Sequence, residues 1–63
     1  MSKNEIRVER ARKRMTQQDL AKKTGVSRQT IHAIENEKFD PNLETAKKIA
    51  KALNKKIDDV FPD

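Results

Sequence analysis

The sequence contains no cysteine, which excludes a disulfide framework and any thiolate metal site. It also lacks tryptophan and tyrosine, and its single glycine excludes the glycine-rich loops that cradle nucleotide phosphates. No apolar run approaches the ~20 residues of a membrane span. The N-terminus lacks the apolar core of a signal peptide. We therefore expect a protein of the reducing cytoplasm with no membrane segment.

Residues suited to enzymatic catalysis are equally scarce. His32 is the only histidine, and no pair of carboxylates stands out in an apolar setting. Ser27 and His32 are five positions apart on one predicted helix and point in different directions, so they do not form a nucleophile–base pair. We expect no enzymatic activity, no cofactor and no bound metal.

Charge is what the chain has in abundance. Charged residues make up 40% of the sequence and leave a net charge of +5, with a pI of about 9.8. Such a balance favours polyanionic partners, although many lysine-rich surfaces are simply solvated. A chain of 63 residues makes one domain over 1–63 and buries only about 60% of its unfolded surface. It must therefore rely on well-matched helices or on a second subunit.

Helical periodicity predicts three helices in the first half of the chain. We expect Asn4 to cap a first helix that runs to about Lys13, a second helix over 17–23 and a third over 28–36. The apolar stripe predicted for the first helix consists of Val8, Ala11 and Met15, with Ile6 as a flanking contact.

The second half is predicted to be helical as well. Asp40 precedes Pro41 and interrupts the chain, because the residue before proline avoids the helical conformation. Asn42 is expected to cap a fourth helix, and a last turn is expected over 58–61. Apolar residues recur along the fourth helix at helical spacing: Leu43, Ala46, Ile49, Ala50 and Leu53. Together with Phe39 and Phe61 they predict an all-α, compact bundle of four to five short helices with essentially no strand.

Residues 16–36 are the most informative stretch, because they predict two short helices joined by a tight turn. Thr16 is a suitable N-cap, and Asp19 stands at the acidic position of a capping box. Gly25 ends the first of these helices, since glycine adopts a left-handed backbone at negligible cost. Ser27 caps the next. So short a link makes the helices cross steeply, as in a helix-turn-helix; an ordinary helical hairpin without a DNA role is the alternative.

The outer face of the third helix suits base recognition. On a wheel of about 100° per residue, Ile31 and Ile34 mark the buried side. Arginine can donate two hydrogen bonds to guanine, glutamine can pair in the same way with adenine, and alanine can touch a thymine methyl group. Expected base contacts are Arg28, Gln29, His32 and Ala33, although His32 can equally contact a phosphate or remain solvated.

Phosphate contacts are expected at the rim of this face. Gln17 opens the second helix, whose N-terminal amides can face a phosphate. Asn36 and Lys38 follow the third helix and are placed to clamp a DNA strand. The other lysines, including those of the fourth helix, indicate solubility and diffuse attraction.

An ion pair is predicted between the first and third helices. Glu35 lies about 40° from Ile31 on the helical wheel, and Arg10 lies about 40° from Ile6. Such a pair would orient the third helix. If both side chains are exposed instead, their interaction contributes at most about 1 kcal/mol.

The C-terminal segment carries apolar side chains with two open interpretations. Ile57, Val60 and Phe61 either form a dimer surface or cover the core of the monomer.

The motifs TQQDLA (16–21), GVSRQTIHAIE (25–35), FDPNLETAKKIAKAL (39–53) and IDDVF (57–61) cover nearly the whole chain. They resemble the lambda-repressor/Cro type of helix-turn-helix, the XRE-like family. The resemblance implies a five-helix fold and a homodimer bound to a palindromic operator in double-stranded DNA. It places the family's interhelix ion pair at Arg10 and Glu35. Its DNA-contact positions are Gln17, Ser27, Arg28, Gln29 and Ala33.

Two residues depart from the family's pattern. Family members often have glycine where this chain has Glu37, and glycine or asparagine where it has Arg14. A non-glycine residue in a left-handed backbone costs on the order of 1 kcal/mol. Glu37 also adds a negative charge beside the expected clamp of Asn36 and Lys38.

Two functions from different classes fit this sequence. The first is a sequence-specific DNA-binding regulator, most simply a repressor that occludes a promoter. The second is an antitoxin-like or adaptor module that uses the same scaffold to bind a protein partner.

Overall fold

The computed structural model describes residues 3–62, and within that range it contains five α-helices and no strand. The helices are α1 (Ile6–Arg12), α2 (Gln17–Thr24), α3 (Arg28–Glu35), α4 (Leu43–Ala52) and α5 (Ile57–Val60). The all-α prediction is confirmed, and the predicted helix ends agree to within about one residue. None of these helices is long and apolar enough to cross a membrane.

The core lies where the helices converge. α2 packs against both α3 and α4, and α5 packs against α4. Burying each large aliphatic side chain stabilises the fold by about 1.5–3 kcal/mol. Because two of these side chains belong to α3, its inner face is fixed in the core and its outer face is left to solvent. The fully buried side chains are Ile6, Leu20, Ile31, Ile34, Ile49, Leu53 and Val60.

Side-chain caps start the three longer helices. At α2 the Thr16 hydroxyl accepts the Asp19 N–H at 2.9 Å, and the Asp19 carboxylate accepts the Thr16 N–H at 3.0 Å. Ser27 and Asn42 cap α3 and α4 by accepting the N–H of the third helical residue at 3.1 and 2.8 Å. These caps satisfy amide groups that have no partner within the helix. The predicted caps of the turn are therefore confirmed.

Left-handed backbone ends four of the helices, and only one of these positions is glycine. Gly25 ends α2 with φ 75°, as predicted. Arg14 (φ 55°), Glu37 (φ 59°) and Asn54 (φ 56°) follow α1, α3 and α4. After each of these three, the next N–H donates to the carbonyl five residues earlier at 2.9 Å, a Schellman motif. The chain thus keeps a left-handed backbone where family members often have glycine.

The predicted stripe of α1 is wrong. Val8 is 44% exposed and Ala11 is exposed, whereas Ile6 is fully buried. The inward face carries Ile6, Glu9 and Arg10, at i, i+3 and i+4. Two of these residues are charged. A prediction based on hydrophobicity alone therefore chose the neighbouring face of the helix. Of the expected stripe, only Met15 packs against the core.

Two apolar residues expected in the core lie at the surface. Phe39 is 51% exposed and Leu43 is 64% exposed. Both precede Ala46, where the buried face of α4 begins. Phe61 is half-buried against the core, as expected for a covering residue. Val60 is wholly buried, so it is not available to a dimer surface in this conformation.

Candidate nucleic-acid interface

α3 presents the four residues expected to contact bases along its outer side. Arg28, Gln29 and His32 are exposed and Ala33 is half-exposed. Ile31 and Ile34 hold the opposite side in the core. The convex outer side therefore combines a guanidinium, an amide and an imidazole with one small apolar residue.

Ser27 serves first as the cap of α3. Its hydroxyl accepts the Thr30 N–H and lies 2.8 Å from the Thr30 hydroxyl. A phosphate at this position would compete with Thr30 for the Ser27 hydroxyl. The structure thus assigns Ser27 a structural role that does not require DNA.

A row of polar side chains runs from α2 across α3 to α1. Gln17 Nε2 of α2 lies 3.4 Å from His32 Nδ1, and Asn36 Nδ2 lies 3.4 Å from both ring nitrogens of His32. At the far end, Arg7 Nη2 of α1 donates to Asn36 Oδ1 at 3.3 Å. We call Gln17, His32, Asn36 and Arg7 the polar row. It brings together three residues that the sequence predicted separately and adds Arg7, which it did not predict.

The N-terminus of α2 has free amides at one end of the polar row. The capping box engages the N–H groups of Thr16 and Asp19, and Leu20 N–H donates to the Thr16 carbonyl at 3.1 Å. Within the described part of the chain, no hydrogen bond engages the N–H groups of Gln17 and Gln18. Two adjacent amides at the positive end of a helix suit a phosphate oxygen.

The capping carboxylate at this end is held ionised. The pKa of Asp19 lies below its ordinary value, chiefly because its carboxylate accepts the Thr16 N–H. The Thr16 side chain and Lys22 contribute in the same direction. Asp19 therefore stays anionic at neutral pH, and its capping hydrogen bond persists.

Asn4, which precedes α1, and Arg7 of α1 hold the C-terminal half of α3. Asn4 Nδ2 donates to the Ile34 carbonyl at 2.7 Å, and Asn4 Oδ1 accepts the Ile6 N–H at 3.2 Å. Arg7 Nε lies 3.6 Å from Glu35 Oε1. Asn4 thus supports the start of α1 from just before its N-cap, Glu5, and also ties α1 to α3.

The pair expected between Arg10 and Glu35 is present, and it is buried. Arg10 Nε donates to Glu35 Oε2 at 2.6 Å, and Nη2 donates to Oε1 at 3.0 Å. The two side chains are 15% and 0% exposed. Arg10 Nη1 also donates to the Met15 carbonyl at 2.9 Å, so the guanidinium joins α1, α3 and the α1–α2 turn. Its bidentate geometry fixes the orientation of α3.

The clamp expected after α3 is incomplete. Asn36 is engaged with His32 and Arg7, as described above. Lys38 is exposed, and its backbone N–H closes the Schellman motif on the Ala33 carbonyl. Glu37 lies between them and is exposed. The negative charge of Glu37 opposes a phosphate at this point, whereas Arg7 places a positive charge against Asn36.

A concavity lined by apolar residues and by two aspartates lies between the α3–α4 connection and α5. Its volume is about 370 Å³. The half-buried Ile57 and Phe61 line it together with the exposed Leu43. Two of the three residues predicted for a dimer surface are therefore present at this concavity, whereas Val60 is not.

Comparison with known proteins identifies the family. A helix-turn-helix family model matches residues 6–60, which span all five helices. An HTH-type transcriptional regulator of Methanocaldococcus jannaschii is 58% identical over 59 residues, or 94% of this chain and 89% of that protein. One of Archaeoglobus fulgidus is 50% identical over 56 residues, or 89% of this chain and 80% of that protein.

The similarity extends to bacteria. An HTH-type transcriptional regulator of Bacillus subtilis is 44% identical over 59 residues, or 94% of this chain and 89% of that protein. The turn between α2 and α3, the outer face of α3 and these matches lead to one conclusion. The chain belongs to the XRE-type helix-turn-helix family, with the lambda-repressor-like fold.

Proposed function

We propose that the protein is a DNA-binding transcriptional regulator that reads duplex DNA by inserting α3 into the major groove. The observation that carries this proposal is the outer side of α3, where Arg28, Gln29, His32 and Ala33 face solvent on a helix fixed from behind. Arg28 suits guanine, Gln29 suits adenine, and Ala33 allows close approach to a thymine methyl group. The N-terminal half of α3 would then read the base edges, as in other helix-turn-helix proteins.

Phosphate contacts in this proposal lie along the polar row. One strand would meet the free amides and the side chain of Gln17 at the start of α2. Arg7, Asn36 and Lys38 would meet the backbone at the C-terminal end of α3. These contacts fix the register on the duplex and supply affinity without reading sequence. The family resemblance also places Ser27 at the backbone, where its hydroxyl would have to leave Thr30.

A homodimer on a palindromic operator completes the proposal. Two copies of α3 about 34 Å apart meet successive major grooves on one face of the duplex. The apolar side chains of Ile57, Phe61 and Leu43 at this concavity support a dimer contact, with Phe39 nearby in the chain. Bound across a promoter, such a dimer represses by excluding the polymerase. It has no chemical step, so the protein acts by binding and not as an enzyme.

A protein partner is the second candidate, because the same exposed apolar residues can receive another chain. Phe39 and Leu43 are each more than half exposed, so both side chains are open to a partner chain. Sedimentation separates the two candidates. A dimer at micromolar concentration supports self-association, whereas a stable monomer, in which Phe39 and Leu43 stay exposed, favours the adaptor function.

The decisive experiment for DNA recognition is selection of the purified protein on random duplex DNA, with sequencing of the bound pool. We expect a palindromic consensus with half-sites about one helical turn apart. Arg28→Ala serves as the control and should relax the consensus at one position in each half-site. A pool with no consensus would refute sequence-specific regulation.

A further inference from the structure

The positive charge of the chain is concentrated away from α3. Residues 45–57 contain five lysines and no acidic residue. The charge of this segment therefore equals the net charge of the whole chain, +5. The rest of the sequence therefore has ten basic and ten acidic residues and is neutral overall. α3 is neutral as well, with Arg28 balanced by Glu35. Attraction to polyanions is thus centred outside the recognition helix.

These lysines and one from α2 form a continuous surface. One concavity of about 630 Å³ lies between the end of α4 and α5, and another of about 380 Å³ lies between the end of α2 and α4. Lys51 lines both concavities. Among residues 3–62, Asp59 is the only acidic residue that lines either one. We call the lysines that line these concavities the lysine face: Lys23, Lys47, Lys48, Lys51, Lys55 and Lys56. Among the described residues, only Lys48 of the lysine face has an ion pair, with Glu44 at 3.6 Å.

Helix stability accounts for only part of the lysine face, since Lys48 pairs with Glu44 at i, i+4. Lys47 and Lys51 stand at i, i+4 on α4, where like charges destabilise a helix. The negative end of the helix dipole favours Lys51, which lies in the last turn, but not Lys47 near the middle. Since the Lys47–Lys51 pair opposes helix stability, a polyanionic partner explains it better.

The composition of the lysine face selects the kind of partner. Protein interfaces are enriched in aromatic residues and arginine and depleted in lysine, yet no aromatic or arginine lines these two concavities. Single-stranded nucleic acid is held by aromatic side chains that stack on bases, and these are absent here too. Lysines alone act as point charges toward phosphates, which suits the backbone of a duplex.

The lysine face is also separate from the proposed operator contact. α4 turns Ala46, Ile49 and Ala50 toward the core, so its lysines lie on the solvent side. α2 packs against both α3 and α4, whereas α3 and α4 make little direct contact. A duplex against α3 therefore leaves the lysine face uncovered. We propose that the lysine face binds the phosphate backbone of a second DNA duplex, so that the protein bridges two DNA segments.

A capture assay tests this proposal. One duplex is immobilised, protein is added, and retention of a labelled second duplex of unrelated sequence is measured. We expect Lys47→Gln/Lys51→Gln to reduce this retention at least tenfold while changing the affinity for the selected operator less than twofold. The matched control is Lys3→Gln/Lys13→Gln, which removes the same charge from exposed positions at either end of α1. It should change neither quantity more than twofold.

The inference rests on the proposed function only for the identity of the first duplex. The outcomes of the assay therefore test the two separately. Failure of the wild type to retain a second duplex would overturn the inference. Equal losses in the two double variants would overturn it as well. A loss confined to operator binding would place the lysines on the first duplex. If selection finds no consensus, lysine-dependent retention can still be measured with any pair of duplexes.

Discussion

Arg10 donates two hydrogen bonds to the carboxylate of Glu35 and a third to the Met15 carbonyl, so one guanidinium links α1, α3 and the turn between α1 and α2. We expect Arg10→Met to destabilise the fold by about 3–5 kcal/mol, because it leaves the fully buried Glu35 carboxylate without its main partner. Urea unfolding measures this difference. In Arg10→Met/Glu35→Leu no charge remains buried, and most of the loss should be recovered. A change within error for Arg10→Met would show that the pair does not support the fold.

Glu9 should behave in the opposite way to Arg10. It is only 6% exposed, its Oε1 has no hydrogen-bond partner, and its Oε2 meets the exposed Arg12 at 3.5 Å. A buried carboxylate oxygen without a partner costs about 1–3 kcal/mol. We therefore expect Glu9→Met to raise the free energy of unfolding, as measured in urea. Glu44→Gln, which breaks the exposed pair with Lys48, should change it by less than about 1 kcal/mol.

The capping carboxylate of α2 makes stability depend on pH at the acidic end. The folded pKa of Asp19 is lowered, so its contribution is complete above the ordinary value of about 3.9 and is lost as pH falls through the folded pKa. Asp19→Asn should therefore lower the thermal midpoint more at pH 7 than at pH 2. An equal shift at both pH values would mean that the carboxylate charge is irrelevant to the cap.

Glu37 combines a strained backbone with an unfavourable charge. Glu37→Gly removes the steric cost of a left-handed residue, and we expect stabilisation of up to about 1 kcal/mol in urea. Glu37→Gln keeps the strain and removes only the charge. Both variants should bind duplex DNA more tightly than the wild type if a phosphate passes Asn36 and Lys38. Unchanged binding by both would place the DNA backbone elsewhere.

Base contacts and phosphate contacts are distinguished by whether the loss of affinity in a variant depends on the DNA sequence. Arg28→Ala or Gln29→Ala should cost about 1–3 kcal/mol on the selected operator and relax specificity at one base pair. Arg7→Gln should weaken all duplexes alike and lower the salt dependence of log K by about 0.9. Fluorescence anisotropy on operator and scrambled duplexes at several salt concentrations gives both quantities. A sequence-dependent loss in Arg7→Gln would place it at the base edges.

The caps and the turn follow from the sequence because each depends on residues close together in the chain. Thr16 and Asp19 are three positions apart, and Gly25 is the only residue nearby that ends a helix without strain. Ser27 and Asn42 are good caps in any helical context. Local chemistry of this kind does not depend on the tertiary structure, so the pattern of caps predicted the helix-turn-helix correctly.

Local chemistry did not predict the inward face of α1 or the exposure of Phe39 and Leu43. The inward side of α1 is decided by Arg10, which reaches 25 positions along the chain to Glu35, and it carries Glu9 with it. Arg7 lies three positions before Arg10 on the same side. This spacing was the one signal for its place beside α3. Phe39 and Leu43 were assigned to the core by hydrophobicity, but only tertiary packing shows that the buried face of α4 begins at Ala46.

Among the described residues, the polar contacts of α1 and the preceding Asn4 with α3 lie near the C-terminal end of α3. They run from Asn4, Arg7 and Arg10 to Ile34, Asn36 and Glu35. Arg28 and Gln29, at the opposite end of α3, have no part in this attachment. Support and readout are thus divided along one helix of eight residues. New side chains can be introduced at its first two positions without disturbing what holds it. This makes the domain a practical starting point for redirecting DNA specificity by exchanging a few surface residues.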